Sequence, residues 1–325
     1  MSENLSWLSA GDLGAPAQSS LRARARRVAL TGAGRRRLAA AAMLSPLVLG
    51  LGLFAVYPAI YALALSFTKS TLGQPFRVWV GGANYAWQLS AESGFPATLT
   101  RSCAFSFAVA AMEVGLGIAL AVLLNAARKQ RRLIRTALLL PLMTPPVLVG
   151  VAWKLMLAPA GGLIDGKLMA WGVITAPISF LGDPTWAWAS LMLADVWRWT
   201  PFVAILAFAA LQQTPGEILE AARLDGASEA ATLLRIELPL AAPALASIFL
   251  LRLIMAFKTF DLVYILTFGG PGDSTTLAGF AIWRTALRNF DVGSAATQTV
   301  LFALAVTLAT LPVVWLHNRL EARGS

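Results

Sequence analysis

Apolar residues gather along this chain into six long runs, near 40–66, 98–126, 136–157, 185–211, 242–266 and 293–317, with shorter polar stretches between them. Crossing a hydrocarbon core of ~30 Å takes about 20 helical residues, and each run supplies that length. In lipid only a helix or a closed barrel satisfies its own backbone polar groups, so runs of this length predict helices. The pattern predicts an all-α, polytopic membrane protein with six transmembrane helices. The first run, Leu38 to Phe67, is about twice as long as the apolar region of a cleaved signal, which spans 7–15 residues. It is therefore read as a membrane helix. Pro46 and Pro58 within it are tolerable, because neighbouring groups can re-satisfy freed carbonyls. Pro141, Pro145 and Pro146 predict that the third helix is kinked or broken.

The polar segment between the fourth and fifth runs has its own pattern. Thr214, Pro215 and Glu217 read as a capping-box start, with Pro215 at the first helical position. Ile218, Ala221, Ala222 and Asp225 then share one helix face, and Gly226 suits the left-handed residue that ends a helix. Ser228 is placed to cap a second helix running to Leu238, and Pro239 punctuates the approach to the fifth span. The expectation is helix–Gly–helix, with Ala221 and Ala222 letting another surface come close. An amphipathic hairpin lying on the headgroups is the plainer alternative.

Composition supports the membrane reading: 58% of the 325 residues are hydrophobic and 13% charged, and the mean hydropathy is +0.68. The net charge of +10 does not point to nucleic acid, because the basic residues collect between apolar runs. Arg22, Arg24, Arg26, Arg27, Arg35–Arg37, Arg128, Lys129, Arg131, Arg132, Arg135, Arg223, Arg235, Arg319 and Arg323 fall on one side of the membrane. Lys69, Arg77, Lys167, Arg284 and Arg288 fall on the other. The positive-inside rule then places both termini in the cytoplasm. The expected organisation is a basic tail over 1–37 resting near anionic lipid headgroups, a membrane domain over 38–317 with a cytoplasmic loop at 213–240, and a short tail over 318–325. Trp79, Tyr85 and Trp87 suit an interfacial belt in the first external loop.

Candidate chemistry is sparse. Cys103 and His317 are each alone in the chain, which excludes an internal disulfide and a Cys/His metal cluster. Gly161, Gly166 and Lys167 start a phosphate-loop pattern, but Leu168 stands where Ser or Thr must meet Mg²⁺. No nucleotide site or cofactor is expected in the chain, so any energy must come from a partner. Ionisable residues within spans each cost about 2.5–3.5 kcal/mol or more unless they face protein or water. Helix four carries Asp195, Trp197, Arg198 and Trp199, and helix five carries Arg252, Lys258 and Asp261, followed by Tyr264. One reading is internal neutralisation at i,i+3, pairing Asp195 with Arg198 and Lys258 with Asp261. The other is a polar, aromatic-walled substrate path, in which tryptophan faces stack on sugar C–H surfaces while charged groups bond hydroxyls. Glu113 and Lys154 also lie within spans, without assignable partners. At the external end of helix five, Gly269, Gly270 and Pro271 form a breaker.

Four segments carry a family resemblance. Glu220-Ala221-Ala222, then Gly226, then Ile236-Glu237-Leu238-Pro239 fill every fixed position of the E-A-A loop of binding-protein-dependent ABC-transporter permeases. The run Ile265 to Thr275 is similar to the L-T-x-G-G-P-x-x-x-T run of the first permease of maltose- and glycerol-3-phosphate-type sugar importers. Asp195 to Phe202 looks like the same subtype's fourth-helix segment. Gly81 to Tyr85 resembles its G-L-x-N-Y stretch, with Gly82-Ala83 departing from it.

The resemblance covers about residues 40–317 and implies the fold of a type I ABC importer permease. It implies a second homologous permease, two ATP-binding subunits that hold ATP and Mg²⁺, and an extracytoplasmic substrate-binding protein that delivers a sugar. Glu220, Ala221, Ala222, Asp225, Gly226, Ile236, Leu238 and Pro239 would insert into an ATPase cleft. Unlike the larger maltose-type permease, this chain has no big external insertion, so a binding protein must dock on shorter loops. Glycerol 3-phosphate or a polyol is the alternative substrate, given Arg198, Arg252 and Lys258. An ion-coupled transporter using Glu113, Asp195 and Asp261 leaves the 213–240 loop unexplained, and a membrane-embedded enzyme lacks a paired catalytic set.

Overall fold

A computed structural model describes residues 42–126, 131–159 and 161–324. The expected basic tail over 1–37, with Arg128 and Lys129, lies outside the described residues. The chain divides into two units after Tyr61. The first contributes most of helix α1 (Ala42–Ser66), which passes through Pro46 and Pro58 without a break.

The second unit is built on α3 (Phe95–Ala126) and α7 (Pro184–Leu211), which pack along one another. Their approach is close because small residues meet: a Cβ at Gly117 would lie 2.6 Å from Val203 Cγ1 and 3.1 Å from the Ala204 nitrogen. Asp183 caps α7, accepting from the Thr185 and Trp186 amides at 2.9 and 3.0 Å, with Pro184 in the first turn. The third span is broken as expected, into α4 (Arg131–Met143) and α5 (Pro146–Met156), bent by 93°. Thr144 and Pro145 both precede a proline, which disfavours helical backbone, and two such residues in succession place the bend there.

Among the described residues, five helices are long and apolar enough to cross a membrane, or six if the bent pair counts as one. The all-α expectation holds apart from a short antiparallel hairpin, β1 (Thr68–Thr71) and β2 (Gln74–Trp79), within the loop that follows α1. Helix α2 (Ala83–Leu89) follows it. Asn84 explains the motif there: its Nδ2 donates to the Ser66 and Thr68 carbonyls at 2.9 Å each, tying the loop back to the hairpin. The Tyr85 hydroxyl meets Ser66 Oγ at 2.6 Å.

Two boundaries differ from expectation. The second loop helix does not stop at Leu238 but continues into the fifth span as one helix, α9 (Glu229–Phe257). A π-helical turn over Leu233–Glu237 widens the backbone just before Pro239, which makes room for a ring that would otherwise clash with the preceding turn. The fifth span also ends at Phe257 rather than near residue 266. The chain turns at Lys258 and resumes as a short helical stretch over Val263–Thr267, which lets Phe260 and Tyr264 stack at 5.6 Å. Short helices α6 (Leu163–Ala170), α8 (Gly216–Leu224) and α10 (Ala278–Trp283) lie in the connections. The last helix, α11 (Val292–Gly324), takes in residues 318–324.

Candidate functional site

Three places gather the residues singled out in the sequence. The first is α8 and the turn after it. Pro215 is the cap residue and no side chain caps the helix, so the expected Thr214 capping box does not form. At the other end, Gly226 is left-handed at φ +78°. The Ala227 amide reaches back to the Ala222 carbonyl at 2.9 Å, and the Asp225 amide reaches the Ala221 carbonyl at 3.0 Å. Ser228 Oγ then accepts from the Ala231 amide at 3.3 Å and starts α9. The predicted helix–Gly–helix is present, with the second helix far longer than expected.

Ala222 is buried against the bundle, whereas Glu220, Ala221 and Asp225 are exposed. The two alanines therefore face different ways. Leu224, not singled out in the sequence, is 89% exposed and shares the outer face with Glu220, four residues before it. Its signal was a leucine flanked by Arg223 and Asp225 with no other apolar neighbour to cover it. Ile236 and Leu238 are half-buried, and Leu238 packs with Leu211 and Ala241 at the base of the bundle. Behind α8 lies a groove of ≈ 660 Å³ whose walls include Asn125, Leu219, Arg223 and Glu237.

The second place lies between α3, α7 and α9. Arg252, fully buried, pairs with Glu113 and Asp195, which are 0% and 1% exposed. Its Nη2 donates to Glu113 Oε1 at 2.8 Å and also to Asp195 Oδ2. The expected i,i+3 pair of Asp195 with Arg198 does not form, because a buried carboxylate takes the desolvated guanidinium that donates into it. Arg198, half-buried, lies over the Trp199 ring instead, 5.0 Å from its centre. Lys258 and Asp261 do not pair either, since Lys258 ends α9 and Asp261 belongs to the next turn. Sequence spacing could not show this cluster, whose members are up to 139 residues apart.

Around the cluster stand the aromatic residues of the expected path. Trp199 lies between Arg198 and Arg252, whose guanidinium carbon is 5.1 Å from the ring centre. Trp197, 45% exposed, meets Trp153 edge-on at 6.1 Å. Tyr264 joins Phe260, Phe268 and Trp283, with the Trp283 ring 5.0 Å away and nearly perpendicular. Lys258 is exposed and Asp261 half-buried. Aromatic faces bordered by charged donors and acceptors of this kind suit a polyhydroxylated solute.

The third place is the Gly269–Pro271 turn, which is held by hydrogen bonds and packing and is not a generic loop. Gly269 is buried at φ +85°, and a Cβ there would lie 2.5 Å from Thr276 Oγ1 and 2.9 Å from Phe280 Cε1. Thr275 Oγ1 donates to the Gly270 carbonyl at 2.7 Å, and Trp188 Nε1 donates to the Ser274 carbonyl at 2.9 Å. Gly270-Pro271 is a cis bond. Asp273 accepts from Arg284 and from Thr276 Oγ1. Chiefly the Arg284 hydrogen bond, against an opposing push from partial burial, holds the Asp273 carboxyl below its ordinary pKa.

Among the described residues no group of three or more His, Cys, Asp or Glu side chains could hold a metal ion.

Residues 113–324 match the family model described as binding-protein-dependent transport system inner membrane component. The trehalose/maltose transport system permease protein MalF of Thermococcus litoralis is 34% identical over 275 residues, 83% of this chain and 92% of that protein. The sulfoquinovosyl glycerol transport system permease protein SmoG of Agrobacterium fabrum is 29% identical over 278 residues, 85% of this chain and 89% of that one. Among solved structures, a chain of a bacterial ABC transporter involved in the import of the acidic polysaccharide alginate superposes with a TM-score of 0.78. It is 22% identical, and the match covers 89% of this chain and 98% of that one.

Proposed function

This chain belongs to the family of binding-protein-dependent transport system inner membrane components, and from that premise we propose that it is the sugar-translocating permease subunit of an ABC importer. The observation that carries the coupling half of this reading is α8, an exposed short helix closed by left-handed Gly226, presenting Glu220 and Leu224 to a partner. Two ATP-binding subunits would seat that face, hold ATP and Mg²⁺, and perform the hydrolysis that this chain does not. A second, homologous permease would complete the path, and an extracytoplasmic binding protein would deliver the substrate. Both termini would lie on the ATPase side of a bacterial inner membrane.

A ligand or partner shifts a conformational equilibrium only as far as it binds the two states differently. ATP-driven closure of the partner subunits must therefore hold α8 differently in the inward- and outward-open forms. The sugar path would run along Asp195, Trp197, Arg198, Trp199, Lys258, Asp261 and Tyr264. A sugar as substrate class is supported by the 34% identity to the trehalose/maltose permease. A substrate that also carries an anionic group is a second reading, favoured by Arg198 and Lys258 and by the 29% identity to the sulfoquinovosyl glycerol permease.

The deciding experiment purifies the chain from its own cell membrane, identifies the subunits that come with it, and screens sugars and anionic sugars for stimulation of the complex's ATPase. The proposal requires two ATPase copies and a second permease in the complex, with stimulation by at least one sugar through the binding protein. A chain that purifies alone and transports in the absence of any ATPase overturns it.

A further inference from the structure

Helices α3, α7 and α9 each send one charged side chain to the same point inside the bundle. Arg252 is gripped from two sides: Nη2 donates to Glu113 Oε1 at 2.8 Å and to Asp195 Oδ2, and Nε faces Glu113 Oε2. The two carboxyl groups also lie within hydrogen-bonding reach of each other. An ionised carboxylate only accepts hydrogen bonds, so two of them in contact make a bond only when one carries a proton.

Charge counting leads to the same place. One guanidinium neutralises one carboxylate, so with both ionised the cluster would hold a surplus negative charge at 0–1% exposure. An uncompensated buried charge is among the most expensive features a fold can carry.

Among the described residues, the surroundings offer no dedicated second cation. Arg198 on α7 is half-buried over Trp199 and acts on Asp261 as well as on Asp195. Lys258, past the end of α9, is exposed, as is Lys154 on α5. Helix α11 packs on both α3 and α9 and has no charged residue between 292 and 316.

We propose that Glu113 and Asp195 share a single bound proton, so that Glu113–Arg252–Asp195 is a neutral, proton-holding joint linking α3, α7 and α9. The proton comes from water: one carboxylate oxygen gains an O–H bond and no other bond breaks. The shared O–H donates to the other carboxylate, and the guanidinium balances the one negative charge that is left. A joint that is neutral as a whole can loosen and reform while helices tilt without baring a net charge in the bundle.

The test is infrared spectroscopy of the full-length chain, purified with its co-purifying subunits and held in lipid nanodiscs at neutral pH. The wild type is expected to show the C=O band of a protonated carboxyl, shifting in heavy water. Glu113→Gln and Asp195→Asn should each abolish that band, because either leaves one carboxylate facing one guanidinium with an amide to donate in place of the proton. Glu113→Gln should also assemble at the wild-type level, whereas Arg252→Gln should lower assembled protein severalfold.

Should either carboxyl variant fail to assemble, heavy-carbon labelling of aspartate and glutamate carboxyls decides instead. The band must move with the label and survive Asp165→Asn, which removes the other buried carboxyl among the described residues. Absence of the band from the wild type, its persistence in both single variants, or its loss with Asp165 overturns the proposal.

Discussion

The end of α8 allows a coupling defect to be separated from general damage. Gly226 sits at φ +78°, and nothing lies within 4 Å of where its Cβ would stand. Gly226→Ala therefore meets no clash and carries only the left-handed backbone cost, about 1–2 kcal/mol. Gly226→Asn costs less, because asparagine visits that region readily. Gly226→Pro cannot comply at all, since its ring holds φ near −65°. It also deletes the amide that Gly226 donates to the Arg223 carbonyl at 3.1 Å and misplaces the Ala227 amide bonded to Ala222. The local cost rises to about 3 kcal/mol or more. If that strain falls wholly on the docked geometry, a factor of ten per ~1.4 kcal/mol gives roughly five- to thirtyfold loss for Ala and more than a hundredfold for Pro. The turn is exposed and α8 is anchored to the bundle through Ala222, so all three variants should reach the membrane in similar amounts. Substrate uptake in cells, the amount of chain in the membrane fraction, and ligand-stimulated ATPase of the purified complex are the three readouts. Uptake should fall in the order Asn, Ala, Pro at constant protein level. Wild-type uptake by the Pro variant would refute α8 as the point of energy entry.

Arg252→Met strands two buried carboxyl groups without their cation and should destabilise the fold by about 3–5 kcal/mol, read as a lowered unfolding temperature in detergent. Adding Glu113→Gln and Asp195→Asn to it should restore most of that loss, and a triple variant no better than the single would count against the ion cluster. Gly269→Ala forces a Cβ to 2.5 Å from Thr276 Oγ1 and 2.9 Å from Phe280 Cε1; overpacking of this kind costs about 1–3 kcal/mol. It should show as faster amide exchange through 267–276, and unchanged exchange would contradict the packed turn. Asp273 has a folded pKa below its unfolded value, so its stabilisation is fully present above the unfolded value of about 3.9 and lost as pH falls through the folded one. The stability gap between wild type and Asp273→Asn should thus be constant near neutrality and close in acid; a gap that widens in acid reverses the sign and refutes the pairing. Spin labels at Leu234 and Ile254, on the outer surface of α9, should keep one separation through the ATPase cycle, and a changing separation would show that α9 is not a rigid rod.

How much of this was legible in the sequence follows from which forces act locally. The spans were readable because lipid demands a long apolar helix, and the broken third span was readable because Pro145 and Pro146 disfavour helical backbone at the residues before them. Gly226 and Ser228 behaved as read, since caps are set by a few neighbouring atoms. The misses involve distant partners. Nothing near Thr214 signalled that Pro215 would cap α8 without it, and the stop expected at Pro239 is overridden by the wider turn over Leu233–Glu237. The Gly269–Pro271 turn looked generic until Thr276 and Phe280 closed over Gly269. The i,i+3 rule gave Asp195 the wrong cation, because at zero exposure a guanidinium arriving from another helix outcompetes a half-solvated neighbour. What the sequence did hold was a charge count: Glu113, Asp195 and Arg252 each sit in apolar runs that cannot bear a lone charge.

That count bears on how the two halves of the site are connected. Helix α9 begins at the Ser228 cap beside the docking helix and ends at Phe257, 29 residues or ~43 Å at 1.5 Å per residue. Arg252 lies near its far end, and Lys258 and Asp261 follow directly. A displacement of α8 need not pass through a chain of side-chain contacts to reach the substrate path, because the same helix that leaves the docking turn carries the central guanidinium of the ion cluster. The cluster ties that helix to α3 and α7, and α7 carries Trp197 and Trp199. Movement entering at Gly226 would then either drag all three helices together or part the Glu113–Arg252–Asp195 contacts, and Arg252→Met distinguishes these outcomes per assembled complex, since only the first predicts that losing the guanidinium leaves ATPase stimulation intact while uptake fails.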